Sequence, residues 1–399
     1  MMLNFKTMRI AMIGQKGIPA IYGGIERHVE ELSRELVKQG HEVLVYARGW
    51  YSTVVVAKYQ GIKIVHTPTL HTKHLDAITH TFISTLHAIF KEKPQVIHFH
   101  GVGPAVLSFL PRLLSPKTKV VATFHCIDRY HQKWGVFARL MLAVGERAAC
   151  LFPHQTISVS RTIQNYCLNE YQKITAYIPN GVIAPVGNSN PAALGEFGLE
   201  ANKYILMVSR LVRHKGAHYL LHAWQFAKQQ YPELFRDTKL AIVGDSAFTD
   251  DYLHELKAIA RGDNSIVFTG WQHGRILDEL YANAGLFVHP SENEGLPITV
   301  LQAMSCGRPV LVSDIPEHQE VILDKRFWFQ NASIVSLSDK LVELLKDKTA
   351  LEIAGAQNKE TVIAKYHWTD IARETQKLYG SPLSQKIKIK PLVLKEKLQ

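Results

Sequence analysis

A chain of 399 residues is longer than one ordinary hydrophobic core supports, and predicts two domains of roughly 180 to 200 residues each. With 46% hydrophobic and 20% charged residues the composition is that of a soluble globular protein, and no run reaches the ~18 consecutive apolar residues of a spanning helix. The net charge of +11 is uneven: residues 1–184 carry 21 Lys+Arg against 10 Asp+Glu, while 185–399 carry 25 of each. That asymmetry suggests an anionic partner for the first half, a membrane surface, a phosphorylated acceptor or nucleic acid, with a solvated basic face that has no partner as the other reading. No signal peptide precedes Arg9, so the expected location is cytoplasmic, with any membrane contact peripheral. Cys126, Cys150, Cys167 and Cys306 show no paired metal or redox spacing and read as buried, inert thiols of a reducing compartment.

The first apolar run, RIAMIG, ends on Gly14, and the following loop closes with Gly23-Gly24 before an amphipathic helix. A strand, a glycine loop and a helix start can cradle an anion. The spacing fits neither G-x-G-x-x-G nor the Walker pattern, which argues against NAD, and turn geometry alone is the other reading of Gly14. EVLVYA, IKIVH, QVIHFH, KVVATF, QTISVS and ITAYIP then alternate with helical stretches, the β-α-β signature of a parallel sheet. VIHFHG finishes on His98 and His100, and VVATFHCID on His125 with Asp128 three residues later. Ligand contacts concentrate at strand carboxyl ends, so His125 is expected to bond a sugar hydroxyl or carry a proton near neutral pH. A histidine merely satisfied by backbone is the alternative, and applies to His98 and His100 at least as well. No histidine has zinc-site spacing with carboxylates or thiols.

A turn-rich linker at roughly 183–195 precedes a second series of strands: YILMVS, KLAIVG, SIVFTG, LFVHP and RPVLVS. The fold class is therefore α/β, two doubly wound Rossmann-like domains facing across a cleft lined by the carboxyl ends of both sheets. The expected boundaries are 1–184, completed by a C-terminal helix at 366–380, then 185–365, and a basic tail at 381–399. In the second domain YILMVSRLVRHKG ends its strand on Arg210 and presents Lys215 a turn later. Phe287 to Asp314, FVHPSENEGLPITVLQAMSCGRPVLVSD, delivers Glu294 to a strand end; Gly295 permits close backbone approach, and the helix amides after Pro297 point outward unpaired. Two cations facing helix amides suit a pyrophosphate. There is no D-x-D, since Asp250 and Asp251 are adjacent in a helix start, so no divalent metal and no cofactor are expected. Helical periods return at 333–346 and 350–365, and the last helix carries Trp368 and Tyr379 as apolar anchors.

These motifs together make the chain resemble, over nearly its whole length, the family-4 group of retaining, nucleotide-sugar-dependent glycosyltransferases of GT-B architecture. The family's hallmark of a glutamate, seven residues and a second glutamate reads EGLPITVLQAMSCGRPV here, with Glu294 first and Gln302 in the second place. The resemblance assigns Arg210 and Lys215 to the basic pair, Gly23 and Gly24 to the glycine loop, His125 to the acceptor side and Ile178 to Val182 to the interdomain IPNGV. It implies catalytic roles for Arg210, Lys215, Glu294 and His125, and donor contacts from Gly23, Gly24, Gly295, Leu296 and Gln302. His100 and Tyr130 fall on the acceptor side. The opening GIPAIYGGIE also resembles a bacterial subgroup of rhamnosyl- and other transferases that build surface polysaccharides.

In the family the second acid is implied to accept hydrogen bonds from the nucleotide ribose. An amide oxygen at Gln302 still accepts, but a bond of about 1.5 to 3 kcal/mol falls toward 0.5 to 1.5, roughly tenfold in donor affinity. The expected partners are a nucleotide-sugar donor, a glycan or lipid-diphosphate-linked acceptor and an anionic membrane surface. A GT-B sugar-nucleotide epimerase and a non-catalytic nucleotide-sugar-binding homologue are the rival readings. A nucleic-acid binder is not expected, because no basic and aromatic residues interleave.

Overall fold

The structure, a computed structural model, describes residues 6–51, 56–70, 72, 75–127, 129, 135–183, 191–246 and 249–383. Tyr130, Asp128, most of the expected linker and the tail beyond 383 lie outside the described residues. By its contacts the chain divides into two units: Met1–Ala20, Val29–Ile178 and Ala372–Gln399 form one, Ile21–His28 and Pro179–Ile371 the other.

The first unit is built on eight strands: β1 (Arg9–Ile13), β2 (Glu42–Arg48), β3 (Lys58–Tyr59), β4 (Ile62–Thr67), β5 (Val96–His100), β6 (Lys119–Phe124), β7 (Gln155–Ser158) and β8 (Ala176–Tyr177). Their order is β3-β4-β2-β1-β5-β6-β7-β8, and only β3 with β4 is antiparallel. β5 and β6 are buried along their whole length, because helices cover both faces and leave no polar side to alternate toward. β1 pairs with β2 on one side and β5 on the other, so the chain leaves the sheet in opposite directions there. Crevices for ligands form at such a switch point, above the carboxyl ends of the strands.

The second unit has six parallel strands: β9 (Tyr204–Val208), β10 (Lys239–Val243), β11 (Ile266–Gly270), β12 (Leu286–His289), β13 (Val310–Ser313) and β14 (Trp328–Phe329), in the order β11-β10-β9-β12-β13-β14. Here β9 lies between β10 and β12, which puts the switch point at the β9–β12 pair. Both sheets are doubly wound and Rossmann-like, as the alternation of apolar runs predicts.

Three details differ from the sequence reading or refine it. The two-residue strands β3 and β14 are too short to show hydrophobic periodicity. Residues 21–28, with the glycine pair, cluster with the second unit, whereas their position in the chain suggested the first. The last helix, Trp368–Gly380, is divided between the units at Ala372. Trp368 packs in the second unit under Gly181, where a Cβ would come within 2.5 Å of the indole. Tyr379 is held in the first unit, its hydroxyl 2.7 Å from His98 Nδ1.

Candidate active site

The switch point of the second sheet brings two loops together. After β9, the amides on either side of Arg210 are fixed: Ser209 N donates to Val243 O at 3.1 Å and Leu211 N to Asp245 O at 2.9 Å. The Arg210 side chain is exposed and makes no hydrogen bond or ion pair among the described residues. Lys215 follows on a short 3-10 turn, Arg213–Lys215. After β12, the chain turns through Ser291 and Glu292 to Glu294. The two loops are tied by one carbonyl, His214 O, which accepts from Glu292 N at 2.8 Å and Ser291 Oγ at 3.1 Å.

That tie places the Lys215 ammonium 2.5 Å from Glu294 Oε1. From sequence Lys215 is expected, with Arg210, as a fixed cation facing phosphate; in the structure its ammonium also forms an ion pair with Glu294, and Arg210 is the exposed one of the two. The same Oε1 lies 2.7 Å from His289 Nε2, on the last residue of β12. Glu294 Oε2 has no protein partner among the described residues, so one oxygen is fixed and the other is open to a ligand hydroxyl. Burial alone would raise the Glu294 carboxyl. The Lys215 charge and the His289 bond outweigh it and hold the group well below the usual carboxylate range.

Behind this triad stands His318, buried on the short helix Pro316–Gln319, with Nδ1 2.9 Å from Ser313 O and 3.0 Å from Ser313 Oγ. Burial pushes its imidazole down to about 3, so it is neutral. Its ring meets His289 edge-on at 5.3 Å. Glu317 beside it is pushed up to about 7, first by burial and then by the charges of Glu294 and Glu320. His289, Glu294 and His318 offer ligand atoms within 4.8 Å of one another, a spacing a metal ion can bridge. The Lys215 ammonium already supplies positive charge at Oε1.

Gly295 and Leu296 are buried, and the helix Ile298–Ser305 begins behind Pro297, which caps it in an extended conformation. Leu301 N is the first amide bonded back, to Pro297 O at 3.2 Å; the earlier amides have no partner within the helix. Gln302 lies one turn further on, its side chain half-buried. The loop is pinned from outside by Asn180 of the IPNGV segment, whose Nδ2 donates to Leu296 O at 2.7 Å while its Oδ1 lies 2.9 Å from His28 Nδ1. Burial holds His28 down to about 4, so it is neutral and able to donate to Asn180. The glycine pair reaches the same place. A Cβ on Gly24 would stand 3.9 Å from Ile298 Cδ1, and Gly23 adopts φ +105 where a Cβ would collide with Glu26. His289, His318, Asn180 and His28 were not among the residues singled out from sequence. Two of them carried a usable signal: His289 ends a buried strand as His100 does, and Asn180 lies in the IPNGV segment Ile178 to Val182.

In the first unit, His125 follows β6 directly and is buried, with Nε2 3.3 Å from His100 Nδ1. His98 is satisfied at both ring nitrogens, by the Tyr379 hydroxyl and by Thr123 Oγ1, each at 2.7 Å, and is structural. Gly14 is also structural: at φ +119 a Cβ would meet His100 O at 2.6 Å.

Comparison with known proteins agrees with this architecture. Residues 22–184 match the family model described as Glycosyltransferase Family 4, and residues 195–361 that described as Glycosyl transferases group 1. The chain is 24% identical over 376 residues to the gpi3 subunit of phosphatidylinositol N-acetylglucosaminyltransferase from Schizosaccharomyces pombe, covering 91% of this chain and 78% of the relative. It is 25% identical over 279 residues to UDP-Gal:alpha-D-GlcNAc-diphosphoundecaprenol alpha-1,3-galactosyltransferase from Escherichia coli, covering 67% and 70%. The solved structure of Anabaena HepE in complex with UDP and glucose superposes with a TM-score of 0.76 at 18% identity, covering 93% of this chain and 98% of that one. With both halves matched and the strand order of each sheet accounted for, the chain is a glycosyltransferase of the family-4 type with the GT-B fold.

Proposed function

We propose that the protein transfers a sugar, with retention at the anomeric carbon, from a nucleoside-diphosphate donor to a glycan or lipid-diphosphate-linked acceptor in cell-surface polysaccharide synthesis. The observation that carries the donor side is the Lys215–Glu294–His289 constellation at the carboxyl ends of β9 and β12, beside unpaired helix amides. In this reading the diphosphate is met by the Arg210 guanidinium, the remaining N–H groups of Lys215 and the amides that follow Pro297. As the bond from the anomeric carbon to the phosphate oxygen breaks, its electrons pass to the diphosphate, and these fixed donors stabilise the charge that develops. Glu294 Oε2 accepts from a donor-sugar hydroxyl, and Gln302 from the ribose. Gly23, Gly24, Gly295 and Leu296 let backbone come close to the donor. In the first unit, His125 and His100 are assigned to the acceptor. The acceptor oxygen attacks from the face that the leaving group vacates, and its proton leaves with the diphosphate.

Relatives support the substrate classes. HepE is solved with UDP and glucose, and the Escherichia coli relative is named for a UDP-sugar donor and a diphosphoundecaprenol acceptor. The charge on the diphosphate is matched here by side chains and amides, so transfer is expected to persist in chelator. No described helix is long and apolar enough to cross a membrane, and a lipid-linked acceptor calls for peripheral attachment on the cytoplasmic face. The subgroup resembling rhamnosyltransferases belongs to this proposal through GIPAIYGGIE alone.

A thermal-shift screen against UDP, GDP, dTDP and their sugars tests the reading. A ligand at 100 times its dissociation constant adds about 2.7 kcal/mol and a clear shift. NMR of the product from the stabilising donor should show the donor's anomeric configuration retained. No shift with any nucleotide, or an inverted product, contradicts the proposal.

A further inference from the structure

The helix Val136–Leu151 of the first unit presents a row of exposed aliphatic side chains. Val136 is 86% exposed, Leu140 61%, Val144 46% and Leu151 64%. At 3.6 residues per turn these four fall within an arc of about 80° on a helix about 24 Å long. Arg139 and Arg147 are exposed on the same side, and neither makes an ion pair or side-chain hydrogen bond among the described residues. The helix has one acid, Glu146, which is fully buried and accepts from the hydroxyls of Tyr166 and Tyr171 at 2.8 and 2.7 Å. Its outer face is therefore apolar and positive, with no negative charge.

The row continues past the end of the helix. Arg112, on the helix Phe109–Leu114, donates to Phe152 O at 3.1 Å, and Phe109 packs against the Phe152 ring at 5.8 Å. On that helix Leu113 and Leu114 are exposed as well. A contiguous apolar patch on a monomer's surface marks an interaction site.

Charge selects the partner. Nucleic acid would satisfy the arginines but has no use for aliphatic side chains, and none of the described exposed side chains of the row is a ring that could stack on a base. A second copy in a two-fold contact would set each arginine against the like charges of the same face. An anionic bilayer satisfies both features: aliphatic side chains enter the acyl boundary by about 5 to 10 Å, while arginines stay at the headgroups.

We infer that this face, with Arg112, Arg139 and Arg147 around Leu140, Val144 and Leu151, is where the protein rests on an anionic lipid surface. The inference deepens the proposed reading and rests on its lipid-linked acceptor.

The test is co-sedimentation of the full chain with vesicles of phosphatidylglycerol and phosphatidylcholine in equal parts, against phosphatidylcholine alone. The wild type should bind the anionic vesicles at low salt and leave the neutral ones. The double variant R139E/R147E should lose at least about 30-fold in partitioning, since each basic residue contributes roughly fivefold near such a surface and the two glutamates add repulsion. The variant L140S/V144S keeps the charge and should lose the part of binding that survives high salt. Both should melt like the wild type and keep the nucleotide-induced thermal shift. Failure of the wild type to sediment overturns the inference. So does wild-type binding by both variants, which would move attachment elsewhere, for instance to the lysine-rich residues after 383. A lipid-free shift in oligomeric state caused by L140S/V144S would make the face a contact between copies instead. Vesicle binding without any nucleotide shift leaves docking standing and removes the donor reading; a nucleotide shift without vesicle binding does the reverse.

Discussion

Glu294 divides its carboxylate between two tasks, with Oε1 held by Lys215 and His289 and Oε2 left for a ligand. The two cations of the site should therefore behave differently on mutation. Arg210 is exposed and its side chain makes no hydrogen bond or ion pair among the described residues, so if it meets the diphosphate as proposed, Arg210→Ala is expected to reduce turnover about 10² to 10³-fold with an unchanged melting temperature. Lys215→Ala should reduce turnover as much and also cost about 2 kcal/mol of stability, because it strands a buried carboxylate. Urea unfolding beside steady-state rates separates the two; a Lys215→Ala protein as stable as wild type would show that the pair is not structural. At the ribose, Gln302→Glu restores a charged acceptor, and calorimetry should show donor binding about tenfold tighter. Arg210, Lys215 and Glu294 were readable from sequence because each stands at a fixed distance beyond an apolar strand. His318 was not, since its nearness to Glu294 depends on β13 pairing beside β12, which no local pattern encodes.

The loops of the site are positioned by elements distant in sequence. The chain His28 to Asn180 to Leu296 O fixes the segment between Glu294 and the helix Ile298–Ser305. Asn180→Ala leaves the Leu296 carbonyl without this donor and His28 without this partner, at a cost of about 1 to 3 kcal/mol. It should also weaken donor binding severalfold while the rate at saturating donor changes little, because Asn180 holds the loop backbone in place. A fall in saturated rate with unchanged affinity would refute that positioning role. All the described strands but β3 and β14 were legible as apolar runs, and the last three helices as periods, with Ser333 and Asp347 capping two of them through Ser336 N and Ala350 N. The placement of the glycine loop was not legible: Gly23 precedes and Gly24 opens the helix Gly24–Lys38, yet they cluster with a unit whose remaining residues start at Pro179.

Across the whole molecule, buried histidines couple stability to pH. Burial holds His28 and His80 down to about 4 and His318 to about 3, against an unfolded value near 6.5. Depressed values mean that the unfolded chain binds more protons, so this stability is complete above about pH 6.5 and is lost as pH falls toward 4. Glu317, raised to about 7, acts oppositely, its contribution fading as pH rises from about 4.5 to 7. Between about pH 5 and 6 these three histidines oppose one acid and together contribute a slope of about 2 to 3 kcal/mol per pH unit, to which the half-buried His154 and His218, also held down to about 4 by burial, add in the same sense. The slope should steepen by about one proton in Glu317→Gln. Urea titrations across that window read both slopes, and a flat profile would place these histidines in water.

The uneven charge belongs to the same scale. It was readable from sequence as a basic first half, but the sequence could not show that Glu146 turns inward and leaves the outer face of its helix positive.

Grip on the diphosphate by Arg210, Lys215 and the amides after Pro297 is most directly tested by calorimetric titration of matched nucleoside mono- and diphosphates into wild type and Arg210→Ala. One diphosphate should bind at least about tenfold tighter than its monophosphate, with most of that difference gone in Arg210→Ala. Equal binding of the two nucleotides, unchanged by Arg210→Ala, would contradict the account.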